Sequence, residues 1–149
     1  MGNAANFFSR DERGRRSEYI SLMPAKIVNG VKGHLIKKAG DSDIHTSLPF
    51  YSNTSDIYFR QNEHGVCQAR MYIGQKMFLD FDWSHTHTNK GDGRKFERGT
   101  VHVQVWKQNK DGTFTRINDA RSMSNAEMKK FGSILKNFCP GVKLRRRNP

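Results

Sequence analysis

The segment Met77–Trp106, MFLDFDWSHTHTNKGDGRKFERGTVHVQVW, combines two strand-like patterns with a loop rich in histidine and basic residues. Apolar residues occupy alternate positions in both arms, namely Met77, Leu79, Phe81 and Trp83 in the first and Val101, Val103 and Val105 in the second. Because successive side chains of a strand point to opposite faces, each arm predicts a strand with one apolar and one mostly polar face. The polar faces carry unusual residues for a solvated strand, and therefore indicate a functional site: Asp80, Asp82, His102, Gln104 and Trp106.

A preceding alternating stretch, 66–73, predicts a hairpin with the first arm of this segment. If the apolar residues of both strands share one face, Ile73 opposes Met77 and residues 74–76 form a three-residue loop. This register gives two polar pairs across the hairpin, Arg70 with Asp80 and Gln68 with Asp82.

The remaining patterns predict helices at both ends of the chain and further short strands. Pro24, followed by apolar residues at three-to-four spacing, predicts an amphipathic helix over 24–38. Ser124 and Glu127 form a capping box ahead of an apolar helical stripe. Further short strands are predicted at 56–60, 101–107 and 113–117. We therefore expect an α+β fold, with an N-terminal helix, a twisted antiparallel β-sheet of about four to five strands and a C-terminal helix.

The length of 149 residues fits one domain with a core of its own. We expect a flexible basic arm over 1–20, a single α+β nuclease-like domain over 21–142 and a basic tail over 143–149. Cys67 and Cys139 are isolated and fit small buried residues in a reducing compartment. No apolar run reaches the length of a membrane helix, so no membrane partner is expected.

The charge of the chain indicates a nucleic-acid partner. Lysine and arginine total 26 against 14 acidic residues, which gives a net charge of +12. This excess is typical of proteins that contact phosphate backbones. Part of it lies in two terminal runs that favour nonspecific phosphate contact over chemistry, Arg10, Arg13, Arg15 and Arg16 at the start and Lys143, Arg145, Arg146 and Arg147 at the end.

Three of the six histidines, His85, His87 and His102, lie in or beside the central segment. Histidine can act as base and as acid near neutral pH, which is what cleavage of RNA through the ribose 2′-hydroxyl requires. A nearby cation would stabilise the charge that develops on the phosphate. The predicted catalytic residues are His102, His85, His87, Asp80 and Asp82, with His102 as general base or acid and the aspartates orienting a histidine or a cation. The predicted nucleic-acid-binding residues are Arg70, Lys95, Arg98, Trp106 and Gln104.

The aspartates and histidines of this cluster also suit a divalent transition metal. A bound metal would polarise a phosphate or activate water. Asp-x-Asp and His-x-His are short and common patterns, so the sequence assigns no metal and no cofactor.

The run from Arg70 to Trp106 resembles small C-terminal nuclease domains of bacterial polymorphic toxins. The similar features are Arg-x-Tyr, a short turn, Leu-Asp-Phe-Asp, a histidine-bearing loop and Val-His-Val-Gln-Val-Trp. Gln104 stands where that pattern has the second histidine of His-x-His. The resemblance, to the barnase, EndoU, colicin and RelE-like group, implies helices ahead of a four-stranded antiparallel sheet whose exposed face holds the site. It also implies an RNA substrate, an acidic immunity protein as partner and a cytoplasmic site of action, reached by delivery into a target cell.

The sequence thus predicts an endoribonuclease of bacterial toxin type that cleaves RNA by metal-independent general acid–base catalysis. Two alternatives stay open. One is a non-catalytic nucleic-acid-binding accessory protein of a phage or mobile element, and the other is a metal-dependent nuclease. The oligomeric state is left open.

Overall fold

The computed structural model describes residues 6–11, 13–117 and 119–146. Their secondary structure consists of eleven strands and one helix, β1 (Asn6–Arg10), β2 (Arg16–Ser21), β3 (Lys26–Val28), β4 (Val31–Lys38), β5 (Ile57–Asn62), β6 (Gly65–Ile73), β7 (Lys76–Asp82), β8 (His87–Thr88), β9 (Lys95–Phe96), β10 (His102–Gln108), β11 (Phe114–Arg116) and α1 (Asn125–Phe138). Residues 1–5 of the expected arm and residues 147–149 of the expected tail lie outside the described residues.

Nine of the strands form one mixed sheet. Their order is β1-β2-β4-β5-β6-β7-β10-β11, and β3 pairs with β4 beside β2. All neighbours are antiparallel except β4 and β5, which are parallel. Strands β8 and β9 form a separate two-stranded ribbon. The predicted α+β class with a four- to five-stranded antiparallel sheet is therefore wrong, because the described chain is mostly β with a single helix near its C-terminal end.

The predicted helix over 24–38 is also wrong, because this stretch forms the β3–β4 hairpin. Asn29 and Gly30 both adopt the left-handed conformation, with φ of 53° and 77°, and Asn-Gly is a strong signal for such a two-residue turn. The apolar spacing that resembles a helix arises because both faces of β4 are buried. Leu35 packs in the core on one face and Ile36 in a second apolar cluster on the other.

Gly33 allows the helix to pack closely against the sheet. A Cβ atom at this position would lie 2.8 Å from Cδ1 of Ile134 and 3.0 Å from Cε2 of Phe59. A larger residue in β4 would therefore force α1 away from the strand or distort both. Gly33 is thus the point in β4 at which α1 packs most closely against the strand.

The C-terminal helix is confirmed as α1. Its capping box is complete, since Glu127 N–H donates to Ser124 Oγ at 3.1 Å and Ser124 N–H donates to Glu127 Oε1 at 2.9 Å. The expected stripe packs on one face of the sheet and includes the buried residues Phe131, Ile134, Leu135 and Phe138. No helix in the described parts of the chain has the length and apolar character needed to cross a membrane.

The predicted register of the β6–β7 hairpin is confirmed for four pairs, Gln68 with Asp82, Ala69 with Phe81, Arg70 with Asp80 and Met71 with Leu79. Beyond them the register shifts by one residue, and the turn contains only Gly74 and Gln75 instead of three residues. The shift leaves Phe78 without a partner as a β-bulge. As a result Met77 packs with Tyr72 on the face opposite Leu79, and Ile73 is 57% exposed.

The N-terminal stretch expected as an arm pairs with the sheet through β1 and β2, whose register runs from Asn6–Ile20 to Arg10–Arg16. The strands expected at 56–60, 101–107 and 113–117 correspond to β5, β10 and β11.

Both faces of the sheet are covered by other parts of the chain. Helix α1 lies on one, while the segments 41–51 and 83–100 contribute residues that pack against the other.

Candidate functional site

The strand that carries His102 lies directly beside the hairpin. β10 pairs antiparallel with β7, so that His102 opposes Asp82 and Gln104 opposes Asp80. Because residues that oppose each other in a ladder share a face, these four side chains lie together on the sheet face away from α1. The expected polar face is therefore present.

The loop between β7 and β10 folds back over this face. Its ribbon, β8 and β9, places the fully buried Phe96 with its ring centroid 5.7 Å from that of His102. His102 is itself 0% exposed, and both of its ring nitrogens lack a hydrogen-bond partner among the described residues. The loop is thus an ordered cover that encloses the middle of the polar face.

Three imidazole rings meet under and within this loop, and we call His85, His87 and His102 the histidine cluster. His87 stacks on His102 with ring centroids 4.7 Å apart and an interplanar angle of 16°, and the His85 ring is 5.2 Å from His102 and 6.0 Å from His87. The His85 side chain is 54% exposed and His87 is half-buried. Two histidines therefore reach solvent, and the third lies behind them.

Asp82 and Ser84 orient the His85 ring. Ser84 Oγ donates to Asp82 Oδ1 at 2.6 Å, since a carboxylate can only accept. The hydroxyl has one proton, so it accepts at 2.9 Å from Nδ1 of His85, which fixes the proton of that ring on Nδ1. Asp82 Oδ1 lies 3.7 Å from the same nitrogen and provides the counter-charge when the ring is protonated. Nε2 is left as the reactive nitrogen of His85.

Asn89 orients the His87 ring and places its proton on Nε2, whereas the proton of His85 is on Nδ1. The orientation of its buried amide is fixed by the backbone of Ala120, because Asn89 Nδ2 donates to Ala120 O at 2.7 Å and Ala120 N–H donates to Asn89 Oδ1 at 2.9 Å. Oδ1 also lies 3.0 Å from Nε2 of His87 and can only accept, so Nε2 carries the proton. Nδ1 of neutral His87 therefore holds the free lone pair.

Burial sets the charge state of His102. It is the largest influence and lowers the pKa of His102 from 6.5 to about 4. The carboxylate of Asp82 acts in the opposite direction, while His87, His85 and Arg116 lower the pKa further. His102 is therefore neutral at pH 7, as a buried ring without a hydrogen-bond partner should be.

This lowered pKa predicts an acid-sensitive fold. The unfolded chain binds the His102 proton below pH 6.5 and the folded chain only near pH 4, so the stability is present at neutral pH and is lost as the pH falls. Between pH 7 and pH 5 the loss from this group is about 2 kcal/mol, from about 1.4 kcal/mol per unit of pKa difference. Urea unfolding of His102→Gln and wild-type protein at both pH values measures it.

Only the difference in pH dependence matters in this comparison, since His102→Gln also changes packing. Replacement of the exposed His45 by Gln serves as the matched control and should keep the wild-type pH dependence. A His102→Gln variant that loses as much stability between pH 7 and pH 5 as the wild type contradicts the prediction.

Arg70 and Asp80 form a buried ion pair instead of facing the loop. Arg70 Nε and Nη2 donate to the two carboxylate oxygens of Asp80 at 2.7 and 3.0 Å, and Trp106 Nε1 donates to the same carboxylate at 3.1 Å. Arg70 is 6% exposed, and its Nη1 donates to the carbonyl of Leu48 at 3.0 Å. We therefore place Arg70, Asp80 and Trp106 in the packing beneath the site.

The other two predicted phosphate-binding residues lie on the loop surface. Lys95 is exposed on β9 and forms an ion pair with Glu97 at 3.4 Å. Arg98 is exposed, and its backbone N–H donates to Thr86 Oγ1 at 3.2 Å. Both cations belong to the same loop as His85 and His87, but neither contacts a ring of the cluster through a hydrogen bond or ion pair among the described residues.

Sequence reasoning missed four residues that complete the site: Ser84, Asn89, Lys90 and Arg116. Ser84 follows Asp82 by two positions, the spacing at which an aspartate side chain commonly accepts a hydrogen bond from the backbone two residues later. Arg116 opposes Trp106 in the β10–β11 ladder, which the predicted strand pair already implied. The role of Asn89 depends on how the loop folds and has no sequence signal, whereas Lys90 belongs to the loop 89–99, whose basic residues are suited to contact a phosphate backbone.

A cavity of about 630 Å³ adjoins the cluster on the His87 side. Lys90 and Arg116 supply its positive charge, and Gln104 forms part of its wall. Comparison of the chain with protein-family models, with curated proteins and with solved structures finds no match.

Proposed function

We propose that the protein is an endoribonuclease of bacterial toxin type that cleaves RNA by metal-independent general acid–base catalysis. The observation that carries this proposal is the geometry of His85 and His87. Each reaches solvent, each has one ring nitrogen fixed by a neighbour, and each keeps its other nitrogen free for a proton transfer. In the proposed reaction Nε2 of His85 delivers a proton and Nδ1 of His87 accepts one.

His87 is the general base of this proposal. Its Nδ1 takes the proton of a ribose 2′-hydroxyl, whose oxygen then bonds to the adjacent phosphorus. Asn89 supports this role because it holds the proton on Nε2 and leaves the Nδ1 lone pair available.

His85 is the general acid. Its Nε2 proton passes to the 5′-oxygen as the bond from phosphorus to that oxygen breaks, which leaves a 2′,3′-cyclic phosphate and a 5′-hydroxyl. Asp82 supports this role, since its carboxylate neighbours the ring that must carry the extra proton. His102 does not touch RNA in this scheme. It is a neutral positioning residue on which the His87 ring stacks.

The surrounding charge favours a polyanionic substrate. The net charge is +12, and the exposed cations Lys90 and Arg116 line the cavity next to His87. Lys95 and Arg98 extend this surface along the loop. The same charge makes an acidic immunity protein the expected partner, since it would cover the cluster in the producing cell. The site of action is then the cytoplasm of a target cell, where RNA is exposed.

The test uses an end-labelled RNA oligonucleotide and a copy with a single 2′-deoxyribose at the cleaved position. We expect cleavage of the first, with cyclic-phosphate and 5′-hydroxyl ends, no cleavage at the modified position and full activity in EDTA. Cleavage that ignores the missing 2′-hydroxyl contradicts the proposal. RNA binding with steep salt dependence and no cleavage identifies the non-catalytic accessory protein instead.

A metal-dependent nuclease is the second candidate, because one ring nitrogen from each member of the cluster lies within 4.8 Å of the others. Imidazole nitrogens are ligands for zinc and related ions. The stacking of His87 on His102 places it second, since an imidazole lone pair lies in the plane of its ring and two stacked rings do not converge on one ion. Cleavage that EDTA abolishes and zinc restores would place it first.

A further inference from the structure

The cavity beside His87 is built from three separate parts of the chain. One wall comes from β8 and the loop after it, with His87 and Lys90, one from β10, with Gln104, and one from β11 and its continuation, with Arg116 and Ile117. Its volume of about 630 Å³ lies in the range of pockets that bind small molecules. It opens directly beside the proposed general base.

Gln104 is the distinctive group of this cavity. The residue is only 5% exposed, yet its side-chain amide makes no hydrogen bond to any described residue. Its amide atoms are open to the cavity, so they are available to a ligand that both donates and accepts hydrogen bonds. The edge of a nucleobase offers this combination, and two adjacent bonds to it distinguish one base from another.

The cations at the rim indicate a phosphate at the other end of the ligand. Neither Lys90 nor Arg116 forms a side-chain hydrogen bond or ion pair with a described residue. Asp119 is the one acidic residue among the cavity-lining residues that the structure describes, and it accepts a bond from Gly91 N–H at 3.5 Å. Ile117, 47% exposed, adds an apolar surface for the face of a base.

We propose that this cavity holds one unpaired nucleotide of the RNA substrate, with its base hydrogen-bonded by Gln104 and its phosphate bound by Arg116 and Lys90. This inference rests on the proposed function and makes it more specific. A base can reach Gln104 only when it is unstacked and unpaired, so the substrate is single-stranded RNA and the residue at position 104 selects the base at the cleavage site.

The test is binding of the four nucleoside 3′-monophosphates, which contain no bond that the enzyme can cleave. Calorimetric titration of the wild-type chain should show one nucleotide bound about tenfold or more tightly than the other three. Gln104→Leu should bring all four to similar, weak affinities. Arg116→Gln should weaken all four in parallel and keep their order, because it contacts phosphate and not the base.

Matched controls come from the same elements. Gln108→Leu and Lys107→Gln, both on β10, lie outside the cavity and should leave the preference unchanged. Gln104→Glu, which keeps the size of the side chain, provides a second variant if Gln104→Leu does not fold, and it should change which base is preferred.

Two results overturn the inference: no saturable binding of any nucleotide, or a preference that survives both changes at position 104. Failure of the inference is distinct from failure of the proposed function. RNA cleavage without nucleotide binding would contradict the role of the cavity and support the nuclease activity. Nucleotide binding without RNA cleavage would support the role of the cavity and contradict the nuclease activity.

Discussion

Replacement of His87 by alanine should lower kcat for RNA cleavage by about 10²–10⁴-fold, the usual contribution of a positioned general base or acid. His85→Ala should cause a loss of similar size. Neither ring lies in the hydrophobic core, so both variants should fold. The control is His45→Ala, which removes an exposed histidine outside the cluster and should keep wild-type activity.

The pH dependence of the two variants separates the two roles. A general base must be deprotonated and limits the rate on the acidic side, whereas a general acid must be protonated and limits it on the alkaline side. The residual activity of His87→Ala should therefore lose the acidic limb of the profile, and that of His85→Ala the alkaline limb. If His87→Ala loses the alkaline limb and His85→Ala the acidic limb, His87 is the acid and His85 the base. Wild-type activity in either variant would contradict a catalytic role for that residue.

Replacement of Asp80 by asparagine should destabilise the fold by about 3–5 kcal/mol, because it leaves the Arg70 guanidinium buried without its counter-charge. Burial alone lowers the pKa of Arg70, and the Asp80 carboxylate more than offsets this effect, so the arginine stays charged in the interior. The asparagine can keep one oxygen as acceptor for Trp106 Nε1 and Arg70 Nη2, but its amide nitrogen then faces the Nε–H of Arg70, so the variant loses the charge and one hydrogen bond. Urea unfolding at pH 7 measures the free energy.

The double variant Arg70→Met/Asp80→Asn tests the reason for this loss. Removal of both charges eliminates the unpaired ion, so the double variant should be more stable than Asp80→Asn alone. The control is Lys95→Met/Glu97→Gln, which removes a solvent-exposed pair and should change stability little. If Asp80→Asn unfolds at the wild-type urea concentration, the pair does not hold the sheet face together.

The elements that the sequence predicted well depend on local contacts. The capping box of Ser124 and Glu127 and the register of Arg70 opposite Asp80 both follow from neighbours in one helix or one hairpin. The prediction of a helix over 24–38 was wrong because burial on both faces of β4 gave a spacing that resembles a helix. The Asn29-Gly30 pair, by contrast, is typical of the two-residue hairpin turn that forms there. Turn chemistry was the better guide at that position.

The positions of the candidate site residues could be predicted from the sequence only where strands define them. Alternation puts His102 and Gln104 on one face of β10, and the observed pairing of β10 with β7 brings that face beside Asp82. The arrangement of His85 and His87 depends instead on Ser84 and Asn89, whose contacts arise from loop folding. No periodic pattern in the sequence indicates such contacts. The position of Arg116 in the cavity wall likewise could not be predicted, because the opposite wall is formed by the folded loop.

The hydrogen bonds between Asn89 and Ala120 can form only late in the synthesis of this part of the chain. These two bonds join the histidine loop to a segment that leaves the ribosome about 30 residues later. Until that segment emerges, the Asn89 amide lacks the two backbone hydrogen bonds that set its orientation. The growing chain therefore carries all three histidines before the contact that orients His87 can be held in place.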